Sequence, residues 1–345
     1  MAQNETILVT GGTGFLGMRI ILQLLEKGYA VRTTIRNLKS KDKVIQTLST
    51  HGITQFDKLS FSEAELTRDI GWKETMKGCT YVLSVASPVF FETPKDEHAA
   101  IRPAVEGITR ILKFARDAGV KRVVMTSNFG AVGFSNTDKS SVTTEANWTD
   151  TQLKGLSVYE KSKTLAERAA WDFINNEGKG LEFATINPVA MLGPSLNAHI
   201  SGSFHLLENL LNGSMKAIPN IPLNIVDVRD VADLHIRAMT HPDANGQRFI
   251  ASADGQITIP EIALLLKNKM PDVSGKVSTK KLSNRVLKLA SYFNTYAKEG
   301  MMLLNVNRNV SNEKAKQTFG WKPVATQEET IIASVESMKR FGLIK

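Results

Sequence analysis

The sequence predicts an α/β fold: a doubly wound parallel sheet of the Rossmann type, followed by a smaller C-terminal lobe. Three observations carry that prediction. Short β-branched runs alternate with helical-period stretches, a glycine triplet directly follows the first run, and the alternation loosens after Pro188. Parallel strands need long connections, and helices are the usual ones, so strand and helix in strict turn mean crossover units.

The strand signals fall at 7–10, 30–35, 59–62, 81–85, 122–126 and 182–186. Each is short and rich in Val, Ile, Leu or Thr, as buried parallel strands are. Helix signals between them cover 15–27, 41–50, 96–118 and 159–175. In the first, Ile20, Ile21, Leu24 and Leu25 form one apolar stripe. Beyond Pro188 the chain is punctuated by Gly193, Pro194, Gly202, Gly213, Pro219 and Pro222, with helices predicted near 231–239 and 260–269. The expected division is a nucleotide-binding domain over 1–188, to which 225–252 returns, and a substrate-binding lobe built mainly from 189–345. A cleft at the carboxyl ends of the strands is where such sheets bind ligands.

At 345 residues the chain exceeds one ordinary hydrophobic core, and its 42% hydrophobic and 22% charged content is that of a globular protein. Cys79 is the single cysteine, which excludes an internal disulfide and a cysteine-built zinc site and fits a reducing compartment. The polar start lacks a signal-peptide pattern, and no apolar run approaches the roughly 20 residues of a membrane span. A cytoplasmic protein without a membrane partner is therefore expected, as a monomer or weak homodimer. The net charge of +9 is spread along the chain rather than blocked with aromatics, so no nucleic-acid partner is expected. Its role would be to concentrate an anionic ligand. The histidine pairs His199/His205 and His235/His241 are each six apart, a poor spacing for convergence, and no metal site is expected. There is no Gly-x-Ser-x-Gly elbow and no Walker loop.

The first strand runs into Thr10-Gly11-Gly12-Thr13-Gly14-Phe15-Leu16-Gly17 and then a helix. In that position Gly11, Gly14 and Gly17 provide a tight turn, close approach of backbone to a pyrophosphate, and close helix–strand contact. About 20 residues after the loop, NAD-binding chains place an acid on the adenosine ribose. Here that place holds Arg36, followed by Lys43. An arginine there can hold a ribose 2′-phosphate through charge-assisted bonds, so NADP(H) is the expected cofactor. Arg32, Lys39 and Lys41 are read as surface charges.

Tyr159 and Lys163 are spaced i, i+4, which on a helix puts both on one face. Carbonyl reduction needs a proton donor where charge builds on oxygen, and a cationic lysine should lower the tyrosine pKa toward neutrality. The lysine can also reach the nicotinamide ribose. The strand over 122–126 ends at Ser127 and Asn128, where a third side chain would arrive beside Tyr159.

These motifs resemble those of the extended short-chain dehydrogenases/reductases, specifically the dihydroflavonol-reductase-like group of NADPH-dependent aldehyde and ketone reductases. The likeness covers nearly the whole chain and includes the glycine loop, 82–88, Thr126-Ser127-Asn128, Tyr159-Glu160-Lys161-Ser162-Lys163, 187–194, 227–232 and Gly320-Trp321-Lys322-Pro323. In that family a serine orients the substrate carbonyl where Asn128 stands. Either the Asn128 amide takes that role, or Ser127 does, or Asn128 orders the loop. The resemblance further implies Thr13, Phe15 and Leu16 at the pyrophosphate, Glu65 and Leu66 at the adenine, and Ala86 and Ser87 at the ribose. Glu65 departs from the family's usual aspartate. Pro188 and Val189 would flank the nicotinamide, and the substrate would be bounded by Ser87, Phe90, Phe91, Phe129, Met191 and the loop 199–204. The expected function is NADPH-dependent reduction of a small-molecule aldehyde or ketone. Two alternatives stand beside it: a nucleotide-sugar epimerase or dehydratase with NAD, and a non-catalytic NADP-sensing protein.

Overall fold

The computed structural model describes residues 5–88 and 96–344. Six strands coincide with the predicted runs: β1 (Thr6–Val9), β2 (Ala30–Ile35), β3 (Leu59–Glu63), β4 (Cys79–Ser84), β5 (Arg122–Thr126) and β6 (Glu182–Pro188). The helices between them are α1 (Phe15–Glu26), α2 (Lys41–Ser49), α3 (Trp72–Met76), α4 (Glu97–Asp117) and α5 (Val158–Glu177). The second half contributes β7 (Ala190–Leu192), α6 (Phe204–Leu211), β8 (Ile218–Pro219), β9 (Pro222–Leu223), β10 (Ile225–Asp227), α7 (Val228–Thr240) and β11 (Gln247–Ala251). It closes with β12 (Ile257–Thr258), α8 (Ile259–Lys269), β13 (Lys281–Leu282), α9 (Asn284–Ala290), α10 (Thr295–Asn305), α11 (Glu313–Phe319) and α12 (Gln327–Arg340).

Seven strands form one parallel sheet in the order β11-β6-β5-β4-β1-β2-β3. Winding runs outward in both directions from the β1–β4 pair, so the switch point lies where the glycine loop leaves β1. Successive strand residues face opposite sides, and the core follows that period. Leu8, Val82, Val123 and Phe183 pack on one face with Ile111, Leu112, Ala166 and Ala170 of α4 and α5. Ile7, Val9, Leu83, Val124 and Ile186 pack on the other with Ile20, Ile21 and Leu24 of α1 and Val231 and Leu234 of α7. That second cluster continues through Phe204, Ile262 and Val335 into the later half of the chain. Both helix layers therefore leave the carboxyl edge of the sheet to the loops.

Arg32 differs from its reading as a surface charge. Its Nη1 donates to the carbonyls of Thr75 at 2.9 Å and Lys77 at 2.8 Å, closing the end of α3. A guanidinium at a helix C-terminus satisfies carbonyls that have no intrahelical donor. Lys39 is exposed, and the exposed Lys41 stands 5.6 Å from the Phe61 ring centroid.

Candidate active site

The glycine loop is built by backbone contacts that side chains would obstruct. Gly11 has φ of +77°, and its N–H donates to Thr34 Oγ1 at 3.0 Å. A Cβ on Gly17 would lie 2.3 Å from the Gly11 carbonyl oxygen, so α1 can approach the turn only with glycine there. The Gly14 N–H closes the turn onto the Gly11 carbonyl at 3.0 Å. Helix α1 begins after Gly14 with no side-chain cap and no acid in its first turn. Its positive end is left facing the cleft, which suits a pyrophosphate. The Phe15 and Leu16 side chains are buried in the core, Phe15 edge-on to Phe204 at 5.4 Å. Only their backbone is left to face a phosphate.

Thr10 ties this turn to the next strand, its Oγ1 accepting from the N–H groups of Val85 and Ala86 at 2.9 Å each. Ala86 and Ser87 thereby stand against the loop and line a cleft with Leu66, Ser84, Pro88 and Thr126. Glu65 is held at the rim of this region: its carbonyl accepts from Trp72 Nε1 at 2.9 Å, and its carboxylate pairs with Arg68 at 3.7 Å. Arg36 and Lys43 are exposed beyond the end of β2. Burial first, and then the charges of Lys43 and Arg36, hold the His199 imidazole below its ordinary pKa. The loop that starts at His199, expected at the substrate, thus begins beside the two cations meant for the 2′-phosphate. Asn197 anchors it there, donating to Thr47 Oγ1 on α2 at 3.4 Å.

At the other end of the cleft, Ser157 caps α5, its Oγ accepting from the Glu160 N–H at 3.3 Å. Tyr159 and Lys163 then share one face, with Lys163 Nζ 5.7 Å from the Tyr159 ring centroid. The expected lowering of the Tyr159 pKa by Lys163 is not what the protein frame produces. Burial pushes the Tyr159 hydroxyl up to about 12, the Glu160 carboxylate adding to the rise and a hydrogen bond from the Asn128 side chain opposing it. Burial also pushes the Lys163 ammonium down to about 8. Desolvation is the largest cause at each group, and it disfavours the charged form of both.

The three residues closing β5 separate by strand alternation. Thr126 Oγ1 pairs with His235 Nε2 at 2.7 Å, on the α7 side. Ser127 turns inward and donates to Glu167, which corrects its candidacy for the substrate carbonyl. Asn128 accepts the Ala131 N–H on its Oδ1 at 3.2 Å while its side chain also bonds Tyr159. It therefore orders the loop and reaches the tyrosine at once.

Pro188 and Val189 are buried at the end of β6, where the Val189 N–H donates to the Ala251 carbonyl at 3.1 Å. Met191 is half-buried, and its carbonyl accepts from Ser201 Oγ at 2.9 Å. Phe129 is buried at 3% exposure, so it backs the cleft instead of forming its mouth. Phe90 and Phe91 lie outside the described residues. Among the described residues no group of three His, Cys, Asp or Glu side chains could hold a metal ion. Cys79 is buried, and burial raises its thiol pKa, which makes it a poor nucleophile.

Two groups of residues near the site escaped the sequence reading. The first surrounds Glu167, fully buried one turn beyond Lys163. Its carboxylate accepts from Ser127, from Asn187 Nδ2 at 2.7 Å, from Arg248 Nε at 2.6 Å and from Thr185 Oγ1 at 3.2 Å. Asn187 Nδ2 also donates to the Asn128 carbonyl at 3.2 Å, linking this network to the site. The spacing of Glu167 from Lys163 was a readable signal, whereas Arg248 gave none. The second group is Glu160 and Arg308. Arg308 is buried and Glu160 half-buried, and Glu160 Oε2 and Arg308 Nε, both shielded from solvent, find no hydrogen-bond partner among the described residues. Arg308 stands 5.8 Å from the Phe129 ring centroid and 5.5 Å from that of Phe134. Burial, and then Glu299, push the Glu160 carboxyl up to about 7 against the opposing charge of Arg308. Glu160 lies inside the tyrosine–lysine motif, but nothing in the sequence links it to Arg308.

The comparisons with known proteins agree with this geometry. The pattern of the NAD dependent epimerase/dehydratase family matches residues 7–251. An anthocyanidin reductase ((2S)-flavan-3-ol-forming) of Vitis vinifera is 30% identical over 357 aligned residues, covering 99% of this chain and 97% of that protein. A dihydroflavonol 4-reductase of Hordeum vulgare is 32% identical over 274 residues, 77% of this chain and 75% of its own. Yeast methylglyoxal/isovaleraldehyde reductase, solved as a complex with NADPH, matches with a TM-score of 0.81 and 25% identity, covering 98% of this chain and all of that one. With a family pattern over most of its length and reductases among its full-length relatives, the chain belongs to the NAD dependent epimerase/dehydratase family, within the extended short-chain dehydrogenases/reductases.

Proposed function

We propose that this chain is an NADPH-dependent oxidoreductase that reduces an aldehyde or ketone on a small molecule, with Tyr159 as proton donor. The observation that carries this reading is the meeting of Tyr159, Lys163 and Asn128 at the carboxyl edge of the same sheet whose switch point carries the glycine loop. The residues fit the cofactor: a Cβ on Gly17 would fill the turn's backbone approach, and Arg36 and Lys43 gather beyond β2 for a 2′-phosphate. Bound NADPH supplies the hydride.

Tyr159 keeps its proton at neutral pH because burial holds its pKa near 12, so the acid is always loaded. Its hydroxyl donates to the carbonyl oxygen as negative charge develops there, and the Asn128 hydrogen bond stabilises the phenolate left behind. Lys163 remains charged below about 8 and lies beside the ring, where it offsets that phenolate and can hold the nicotinamide ribose hydroxyls. The buried Glu167 network keeps Asn128 in place through Asn187. Pro188 and Val189 would flank the nicotinamide, and Ser87, Phe129 and Met191 would bound the substrate. In this reading 189–345 serves mainly as the substrate lobe over a domain of 1–188 joined by 225–252. A cytoplasmic location fits the single buried cysteine. Reductases among the relatives favour this reading over epimerisation and over a sensor that binds NADP without turnover.

The test is loss of NADPH absorbance with a panel of aliphatic and aromatic aldehydes and ketones. Turnover of at least one carbonyl class is expected. Tight NADPH binding with no turnover across the panel would sink the reading and leave the sensor.

A further inference from the structure

The later part of the chain carries a surface that the reaction does not use. Between Asp272 and Glu299 the sequence holds Lys276, Lys280, Lys281, Arg285, Lys288 and Lys298 and no acid. All six are exposed, and none forms an ion pair among the described residues. Within the same stretch Leu287 alone of α9 is buried, lying near Ile221 and Gly300. Helical spacing then turns Arg285, Lys288 and Leu289 away from the protein. Val286 is 53% exposed, Leu289 65%, Tyr292 72% and Phe293 88%. Phe293 is the most exposed large apolar side chain among the described residues.

A single exposed apolar side chain is ordinary, but four within one short segment, interspersed along the chain with the exposed Arg285 and Lys288, form a patch that water disfavours. We propose that this surface, α9 with the turn that follows it, docks on an anionic lipid bilayer. Cations of this density are attracted to a negatively charged leaflet, and aromatic side chains favour the headgroup region, where an apolar ring and a polar edge are both accommodated. A second copy of the chain is a poor occupant, because two such patches face to face would set like charges against each other. Val286 and Leu289 favour acyl chains over nucleobases, which stack on flat rings. No helix among the described residues is long and apolar enough to cross a membrane, so the contact is peripheral. The sequence expectation of no membrane partner rested on the lack of an apolar run long enough to span, which does not address surface docking; the charge spread along the chain is concentrated locally here, and the fold turns Val286, Leu289, Tyr292 and Phe293 outward. Docking here does not depend on the reductase reading.

The experiment is co-sedimentation of the full chain with vesicles of phosphatidylcholine alone and of phosphatidylcholine with about one quarter phosphatidylserine. The chain should pellet at least about tenfold better with the anionic vesicles, and added salt should release it. Tyr292→Ser with Phe293→Ser, and separately Lys280→Glu with Lys281→Glu, Arg285→Glu and Lys288→Glu, should each cut pelleting at least about fivefold at an unchanged thermal transition. Should the charge variant lose that transition, the aromatic pair, whose side chains are mostly exposed, decides. No pelleting of the wild type overturns the proposal. So does equal pelleting with neutral vesicles, pelleting unchanged in the variants, or binding to a single-stranded oligonucleotide in place of vesicles.

Discussion

The two ends of the candidate site are made by opposite means. At the phosphate end, the uncapped start of α1 after Gly14 and the exposed cations Arg36 and Lys43 are left open to a ligand. At the carbonyl end the working groups are withdrawn from solvent, Lys163 buried and Tyr159 and Asn128 half-buried, with Tyr159 pushed up to about 12 and Lys163 down to about 8. A phosphate brings its own charge and needs only complementary donors, so solvated side chains suffice. Proton transfer to a carbonyl needs a donor whose protonation is fixed by its surroundings, and that requires exclusion of water.

The comparison is broken most directly at Tyr159. Tyr159→Phe should lower turnover at least about 100-fold while NADPH affinity changes little. A fall in affinity matching the fall in turnover, read by titration of NADPH binding, would mean that the tyrosine belongs to the cofactor end. Arg36→Ala should raise the KM for NADPH about 10- to 100-fold and leave NADH nearly unchanged, since it removes a charge-assisted contact made only by the 2′-phosphate. Equal losses with both cofactors would refute the phosphate assignment.

A finer test separates neighbours at the carbonyl end. Asn128→Ala should slow turnover about tenfold, because the phenolate loses its hydrogen bond. Ser127→Ala should leave turnover within a few fold and cost about 1–3 kcal/mol in denaturant unfolding, because Glu167 loses a buried donor. The reverse pattern would restore Ser127 as the residue on the substrate. The smallest effect concerns pH. Lys163 is charged below about 8 and neutral above it, so reduction should be level in the neutral range, halve near 8 and fall further as pH rises. A level profile beyond that point would show that the lysine charge does not support the proton transfer.

Much of the architecture was legible in the sequence because it rests on local periodicity. β-branched runs and apolar stripes gave the six predicted strands and the helices between them, with ends within a few residues of those observed. The seventh sheet strand, β11, carried no such alternation of its own and lies within 225–252. The Tyr159–Lys163 face was readable for the same local reason, since both stand on one helix. Arg32 misled because its partners are carbonyls of a helix distant in sequence. The nearness of His199 to Arg36 and Lys43 was not legible, because a loop from the second half folds back onto α2.

By itself, the sequence determined the alternation, the glycine turn, the cation that replaces an acid after β2, and the tyrosine and lysine on one helical face. Each of these depends on residues within a turn or a strand of each other, where spacing is geometry. Only the tertiary structure decided that Ser127 faces Glu167 while Asn128 faces Tyr159, that Arg248 and Arg308 come to lie behind the site, and that Val286, Leu289, Tyr292 and Phe293 point away from the core. Burial, and the pKa shifts that follow from it, depend on which distant segments cover a residue, and that is settled by packing rather than by order along the chain.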